Sequence, residues 1–116
     1  MRRSREDDSE ALRIEVSEQP PPARMTLYGE FDIRCADAAT HALEELLGRG
    51  PVEVLIDLSR LEFMDSAGVR FLVEGLDRAS ERGVRLALMD GGEPVRRILT
   101  VSGVKALFED AERRGT

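Results

Sequence analysis

The apolar positions in the first third of the chain alternate with polar ones, a spacing that is typical of β-strands. In "ALRIEV", Leu12, Ile14 and Val16 fall on one face, and "RMTLYG" resumes the alternation with Met25 and Leu27. The prolines of "SEQPPPA" between the two segments cannot donate to a β-ladder. The two segments are therefore predicted to be strands of an antiparallel hairpin joined by a proline loop.

Beyond Gly29, the apolar spacing changes to that of amphipathic helices separated by short buried strands. It predicts, in order, a helix from near Cys35 to Gly48 or Gly50, a strand over 52–58, a helix that ends near Gly83, a strand over 84–89 and a helix with Pro94 in its first turn. The closing "ALFEDAERRGT" is predicted to add only a short strand or a final helical turn.

Strands that alternate with helices indicate parallel pairing with right-handed crossovers. The sequence therefore predicts an α/β fold in one domain over residues 11–116. Its sheet is expected to be mixed but mostly parallel, with about four to five strands opened by the hairpin, and three to four helices. Residues 1–10 are charged and lack apolar periodicity, so they are predicted to form a disordered tail.

Composition narrows the possible partners of the protein. A net charge of −6 argues against binding to nucleic acid or to an anionic membrane, since both need a basic surface. No apolar stretch approaches the roughly 18 residues of a membrane span. The lone cysteine, Cys35, cannot form an internal disulfide, so a cytoplasmic location is expected.

The candidate functional residues lie in "LEFMDSAGVRFL", Leu61–Leu72, where an apolar run ends and the predicted second helix begins. Asp65 or Ser66 can cap that helix by accepting a hydrogen bond from a first-turn amide. A serine nucleophile is a second hypothesis, but it needs a base, and the only histidine, His41, is expected to face solvent from the first helix. A phosphorylation switch is the third, because a hydroxyl on a first helical turn is accessible to a kinase.

Other chemistry is not supported by the sequence. No phosphate-binding glycine motif and no cluster of histidine and cysteine occurs, so neither a cofactor nor a metal is expected. Phe71, between core positions of the second helix, is expected to be half exposed.

The segment "VEVLIDLSRLEFMDSAGVRFLVEGLDRA" (52–79) resembles the signature of the STAS family, and its anti-sigma factor antagonist branch most of all. The family pattern is a buried strand ending in Asp-Leu, a short link, an aromatic or apolar pair and then Asp-Ser-[Ser/Thr/Ala]-Gly before an amphipathic helix. "GEFD" (29–32) and "GVRLALMDGGEPVRRILTVSGVKALF" (83–108) resemble the flanking segments of the family in the same order.

This resemblance implies a binding protein and not an enzyme. Family antagonists bind an anti-sigma factor that is also a serine kinase, which frees a sigma factor. Phosphorylation of the motif serine releases the antagonist, and a serine phosphatase restores it. By position Ser66 is the phosphate acceptor. The partner-binding residues implied are Asp32, Asp65, Ala67, Gly68 and Arg70, with Gly68 letting partner backbone approach the helix start.

The chain departs from the antagonist pattern in three places. Arg70 stands where antagonists often have a small residue, Cys35 stands where a threonine often begins the first helix, and the short C-terminus suggests an absent or reduced last helix. The alternative function is a STAS module that is never phosphorylated and that serves as a structural or regulatory subunit of a larger complex.

Overall fold

The computed structural model describes residues 6–8 and 12–115 of the chain. Within these residues it contains six strands, four α-helices and one short 3₁₀ helix. The strands are β1 (Glu6–Asp8), β2 (Leu12–Ser17), β3 (Ala23–Phe31), β4 (Glu53–Asp57), β5 (Leu61–Met64) and β6 (Arg85–Met89). The helices are the 3₁₀ helix (Ile33–Cys35), α1 (Ala36–Leu47), α2 (Ser66–Glu81), α3 (Glu93–Val101) and α4 (Val104–Gly115).

The strands form one mixed sheet in the order β1-β2-β3-β4-β6, with β5 also paired to β3. The pairs β1–β2 and β2–β3 are antiparallel, whereas β3–β4, β3–β5 and β4–β6 are parallel. The predicted α/β class, the opening hairpin and the largely parallel remainder of the sheet are therefore confirmed. Connections through α1 and α2 place β3, β4 and β6 side by side, and connections of this kind between parallel strands are right-handed as a rule.

One face of the sheet is apolar because alternate strand residues point toward the helices. The core side of β3 carries Met25 and Leu27, and β4 adds Val54 and Ile56 beside them, all nearly inaccessible to solvent. Helices α1 and α2 pack on each other and on this sheet. The other face is polar, as the 3.1 Å ion pair between Arg24 and Asp57 shows.

Strand β5 and the full length of helix α4 were not predicted. Strand β5 has only four residues and no clear alternation of buried and exposed positions, so periodicity could not reveal it. Helix α4 is a full 12-residue helix, and the expectation of an absent or reduced last helix is wrong. Among the residues of α4 whose burial is described, only Val104 and Phe108, one turn apart, are buried, and two positions make too narrow an apolar stripe to predict a helix.

Two further positions differ from the sequence expectation. Residues 6–8 lie in the predicted disordered tail, yet they form β1, because ladder pairing uses backbone groups and does not require apolar side chains. The rest of residues 1–10 is outside the described residues. Phe71 is not half exposed but only 4% accessible, and its ring packs against that of Phe31 with 5.3 Å between centroids.

Candidate functional site

The candidate site lies where β3 and β5 end, at the same edge of the sheet. Phe31 pairs with Met64 as the last residue of each strand, so Asp32 and Asp65 follow side by side. The register shifts between Gly29 and Glu30. Gly29 has φ of 100°, a left-handed conformation that other residues adopt only with strain. This bulge directs the end of β3 along β5 and brings the two aspartates together.

Asp65 is the N-cap of α2. Its Oδ1 accepts a 2.8 Å hydrogen bond from the backbone amide of Ala67, and its backbone is extended, as a capping residue requires. Its own amide donates to the carbonyl oxygen of Phe31 at 3.1 Å. Of the two capping candidates that the sequence offered, the structure therefore selects Asp65.

Ser66 is the first residue of α2 and is exposed to solvent. Its hydroxyl makes no hydrogen bond with any part of the chain that the structure describes. Because Asp65 performs the capping, the fold does not need the Ser66 hydroxyl. The nucleophile hypothesis gains no base from His41, which lies on α1 and faces Glu45 on the same helix at 3.5 Å.

Asp32 caps the 3₁₀ helix at the neighbouring strand end. Its Oδ1 accepts a 2.9 Å hydrogen bond from the backbone amide of Arg34, and the Arg34 guanidinium donates to its Oδ2 at 2.6 Å. The side-chain hydrogen bond from Arg34, followed by the backbone one, holds the pKa of Asp32 below its ordinary value. Cys35 is fully buried, and its thiol lies 3.6 Å from the carbonyl oxygen of Glu30. Asp32 is thus an anion held in place by Arg34, in the residue directly after the end of β3.

Gly68 is buried inside the site, next to the end of β5. A Cβ atom there would lie 2.7 Å from Met64 Cε and 3.0 Å from Met64 Cβ. The missing side chain therefore lets α2 pack against the end of β5. The structure gives Gly68 this packing role, and the contact with partner backbone that the family resemblance implied stays a prediction.

The other implied partner-binding residues are spread along the first two turns of α2. Ala67 is partly buried and packs on the core, whereas Arg70 is exposed. Two exposed apolar residues at this edge were missed by the sequence analysis. Ile33 is 73% accessible and directly follows Asp32, and Phe63 is 47% accessible and lies beside Glu30 of β3. Their exposure depends on β5 and on the 3₁₀ turn, neither of which the sequence pattern predicted.

Two kinds of feature are absent from residues 6–8 and 12–115. No group of three metal-ligating side chains occurs there. No helix in this part of the chain is both long and apolar enough to cross a bilayer.

The sequence matches the family model described as "Mlab, STAS domain" over residues 14–109. The match covers most of the chain, so the protein belongs to the STAS domain family. The chain is 29% identical over 94 residues to an anti-sigma F factor antagonist of Paenibacillus polymyxa, covering 80% of each sequence. It is 25% identical over 99 residues to the anti-sigma-F factor antagonist RsfB of Mycobacterium tuberculosis, covering 85% of this chain and 80% of that protein.

Solved structures support the fold. An anti-sigma factor antagonist from Mycobacterium paratuberculosis superposes with a TM-score of 0.67 at 20% identity, covering 99% of this chain and 94% of that one. The anti-sigma factor antagonist SpoIIAA in its unphosphorylated form gives a TM-score of 0.64 at 20% identity, covering 81% of this chain and 89% of that one. The resemblance to the STAS family and its antagonist branch is thereby confirmed.

Proposed function

We propose that this protein is an anti-sigma factor antagonist that binds its anti-sigma factor when Ser66 carries a free hydroxyl. In this proposal the anti-sigma factor is a serine kinase in the cytoplasm. Binding of the antagonist frees a sigma factor, phosphorylation of Ser66 ends the binding, and a serine phosphatase reverses it. The names of the relatives from Paenibacillus polymyxa and Mycobacterium tuberculosis support the antagonist role.

The proposal rests on the different roles of Asp65 and Ser66 at the start of α2. Asp65 accepts the capping hydrogen bond from Ala67, and the Ser66 hydroxyl remains exposed without a hydrogen bond to the described residues. Phosphorylation therefore leaves the cap of α2 in place. A serine whose hydroxyl held the helix could not be modified without a cost to the fold.

The surface around Ser66 is suited to a protein partner. It carries the exposed apolar side chains of Ile33 and Phe63 beside the charged pair of Asp32 and Arg34. Interfaces commonly combine a small apolar centre with a polar rim. A kinase that docks here would meet the apolar residues and Ser66 on one surface.

A phosphate on Ser66 changes this surface more than it changes the fold. It adds a charge of about −1.5 to −2, which the positive end of α2 tolerates. In the complex the same charge must lose its water or find a cation on the partner. A penalty of about 2.7 kcal/mol would weaken binding a hundredfold, and an unpaired interfacial charge can readily supply it. Phosphorylation should therefore act as a docking switch and not as an unfolding switch.

The proposal is tested with a candidate anti-sigma factor serine kinase and ATP. Mass spectrometry should find one phosphate, at Ser66, and none at Ser59, Ser80 or Ser102. Ser59 is a useful internal control because it too is exposed, but its hydroxyl donates to Asp57 Oδ1 at 2.6 Å. A phosphate mapped to any of these three serines would refute the assignment.

Binding of two variants separates the two kinds of switch. Ser66→Ala should bind the anti-sigma factor like the parent and should remain bound in the presence of ATP. Ser66→Asp should bind at least tenfold more weakly, about 1.4 kcal/mol, with an unchanged circular dichroism spectrum. Equal binding by phosphorylated and parent protein would overturn the proposal, and it would favour the unphosphorylated STAS subunit of a larger complex.

A further inference from the structure

Arg70 lies one helical turn beyond Ser66 on α2, is exposed, and has no ion pair or hydrogen bond within the described part of the chain. Other arginines near α2 do have carboxylate partners. Arg78 and Arg82 both contact Glu44, at 3.1 and 2.6 Å. Arg70 is thus a cation next to the proposed phosphate acceptor, with no anion to neutralise it.

We propose that Arg70 binds the phosphate group of phosphorylated Ser66 and so holds it against the first turn of α2. The inference rests on the function proposed above. It gives a role to a residue at which this chain departs from the antagonist pattern, and that role concerns the phosphorylated form alone.

Helix geometry favours this contact. Residues four apart lie on the same face with about 5–6 Å between their Cβ atoms. The Cα–Cβ bonds of a helix tilt toward its N-terminus, so the Arg70 side chain extends over the turn that contains Ser66. The guanidinium group can donate two parallel hydrogen bonds to phosphate oxygens, which a lysine cannot do.

The competing carboxylates are weaker partners for Arg70. Glu74 lies four residues further on, but an acidic group is better placed N-terminal to its cation than C-terminal to it. No ion pair between Arg70 and Glu74 is present in the structure. Asp65 already accepts from Ala67, and it would repel the phosphate, which increases the need for a neighbouring cation.

The consequence concerns the phosphorylated state. A phosphate held by Arg70 is fixed on the helix surface and does not disturb the Asp65 cap. The Arg70 charge also offsets the repulsion between Asp65 and the phosphate. The phosphorylated protein should therefore keep α2 folded while its docking surface is blocked.

The test needs no kinase. Phosphoserine is incorporated at position 66 during translation of the full chain, and the second pKa of its phosphate is measured by phosphorus NMR. Pairing with a cation favours the dianion and lowers that pKa. Relative to the parent, Arg70→Gln should raise it by about 0.3 units or more, and Arg70→Lys by less. Arg85→Gln removes the same charge at the opposite end of the sheet and should have a smaller effect than Arg70→Gln.

An unchanged phosphate pKa in Arg70→Gln, or a change no larger than in Arg85→Gln, would overturn the inference. That result says nothing against the proposed function, which is judged by whether phosphoserine at position 66 abolishes binding of the anti-sigma factor. Conversely, a shifted pKa together with undiminished binding would support the Arg70 contact and refute the docking switch. The melting temperature of unphosphorylated Arg70→Gln should equal that of the parent, which excludes a general loss of fold.

Discussion

The backbone amide of Asp65 donates a 3.1 Å hydrogen bond to the carbonyl oxygen of Phe31. This bond ties the start of α2 to the end of β3. The ring of Phe31 packs on that of Phe71, so the same two elements are also joined through the core. The loop that carries Asp32 and the turn that carries Ser66 are therefore held as one rigid surface. A partner that recognises both is not required to order them first.

The cap at Asp65 gives the first prediction. Asp65→Ala removes the acceptor for the Ala67 amide and should lower the free energy of unfolding by about 0.5–2 kcal/mol. Asp65→Asn should keep most of that stability, because asparagine is an equally good N-cap. Urea unfolding measures both values. An alanine variant as stable as the parent would show that the cap contributes nothing.

The asparagine variant also separates capping from recognition. If the kinase needs the Asp65 carboxylate, phosphorylation of Ser66 should slow in Asp65→Asn although the fold is intact. Equal initial rates for this variant and the parent would leave Asp65 with the structural role alone.

The sequence predicts the site better than its surroundings. A cap at Asp65 or Ser66 can be predicted because capping is a local interaction between a side chain and an amide about two residues away. Apolar periodicity predicts the β2–β3 hairpin and helix α2. The strands show several alternations of apolar and polar residues, and the helix shows several turns with apolar residues on one face. These features depend on neighbours in the chain.

The features that were missed depend on distant contacts. β5 is held by pairing with β3, and its four residues carry no periodic signal. Phe71 is buried because the end of β3 places Phe31 against it. The role of Gly68 follows from the position of Met64 in β5, so it could not be inferred before that strand was known.

Gly68 provides the second prediction. Gly68→Ala places a methyl group 2.7 Å from Met64 Cε, which can rotate away, and 3.0 Å from Met64 Cβ, a contact that can be relieved only if α2 or β5 shifts slightly. We expect a loss of about 1–3 kcal/mol in the free energy of unfolding. Gly48→Ala is the control, since Gly48 follows α1 with φ of −65° and a Cβ there would approach no atom closer than the carbonyl oxygen of Glu44, at 3.3 Å. That substitution should change the free energy of unfolding by less than Gly68→Ala does, within about 1 kcal/mol of the parent.

The Gly68→Ala variant also tests whether Gly68 affects binding through the fold or through direct contact with the partner. If its role is internal, any loss of affinity in Gly68→Ala should accompany a loss of stability. A variant as stable as the parent that no longer binds the anti-sigma factor would restore the partner contact implied by the family resemblance.

The third prediction concerns pH. Glu44 of α1 accepts hydrogen bonds from Arg78 of α2 and from Arg82, which is the C-cap of that helix. Desolvation alone would raise the pKa of Glu44, but the bonds from Arg82 and Arg78 outweigh it and lower the pKa below the ordinary value of 4.5. A lowered folded-state pKa means that the contribution to stability is present above 4.5 and is lost as the pH falls through the folded-state pKa.

Glu44→Gln should therefore be less stable than the parent at neutral pH, by about 1 kcal/mol or less, since the three side chains are partly exposed. The difference should close as the pH is lowered through the folded-state pKa. Glu109→Gln, which removes an exposed carboxylate of α4 without an ion pair to the described residues, is the control for the loss of one negative charge. A stability gap for Glu44→Gln that stays constant at acid pH would contradict the ion-pair explanation.

The last prediction tests the apolar part of the docking surface. Ile33→Ser and Phe63→Ser remove apolar side chains next to the two caps, where both are exposed. Burial of such side chains by a partner contributes most when they lie at the centre of an interface. Each substitution should weaken binding of the unphosphorylated protein to its anti-sigma factor by about tenfold, or about 1.4 kcal/mol.

Val52→Ser is the control, because Val52 is 85% accessible and precedes β4 at the opposite end of the parallel strands. It should bind like the parent. All three variants should keep the parental circular dichroism spectrum, since none of these side chains belongs to the core. If Val52→Ser weakens binding as much as Ile33→Ser and Phe63→Ser do, the partner does not dock at the edge that carries Ser66. In that case phosphorylation could not act by blocking the contact directly.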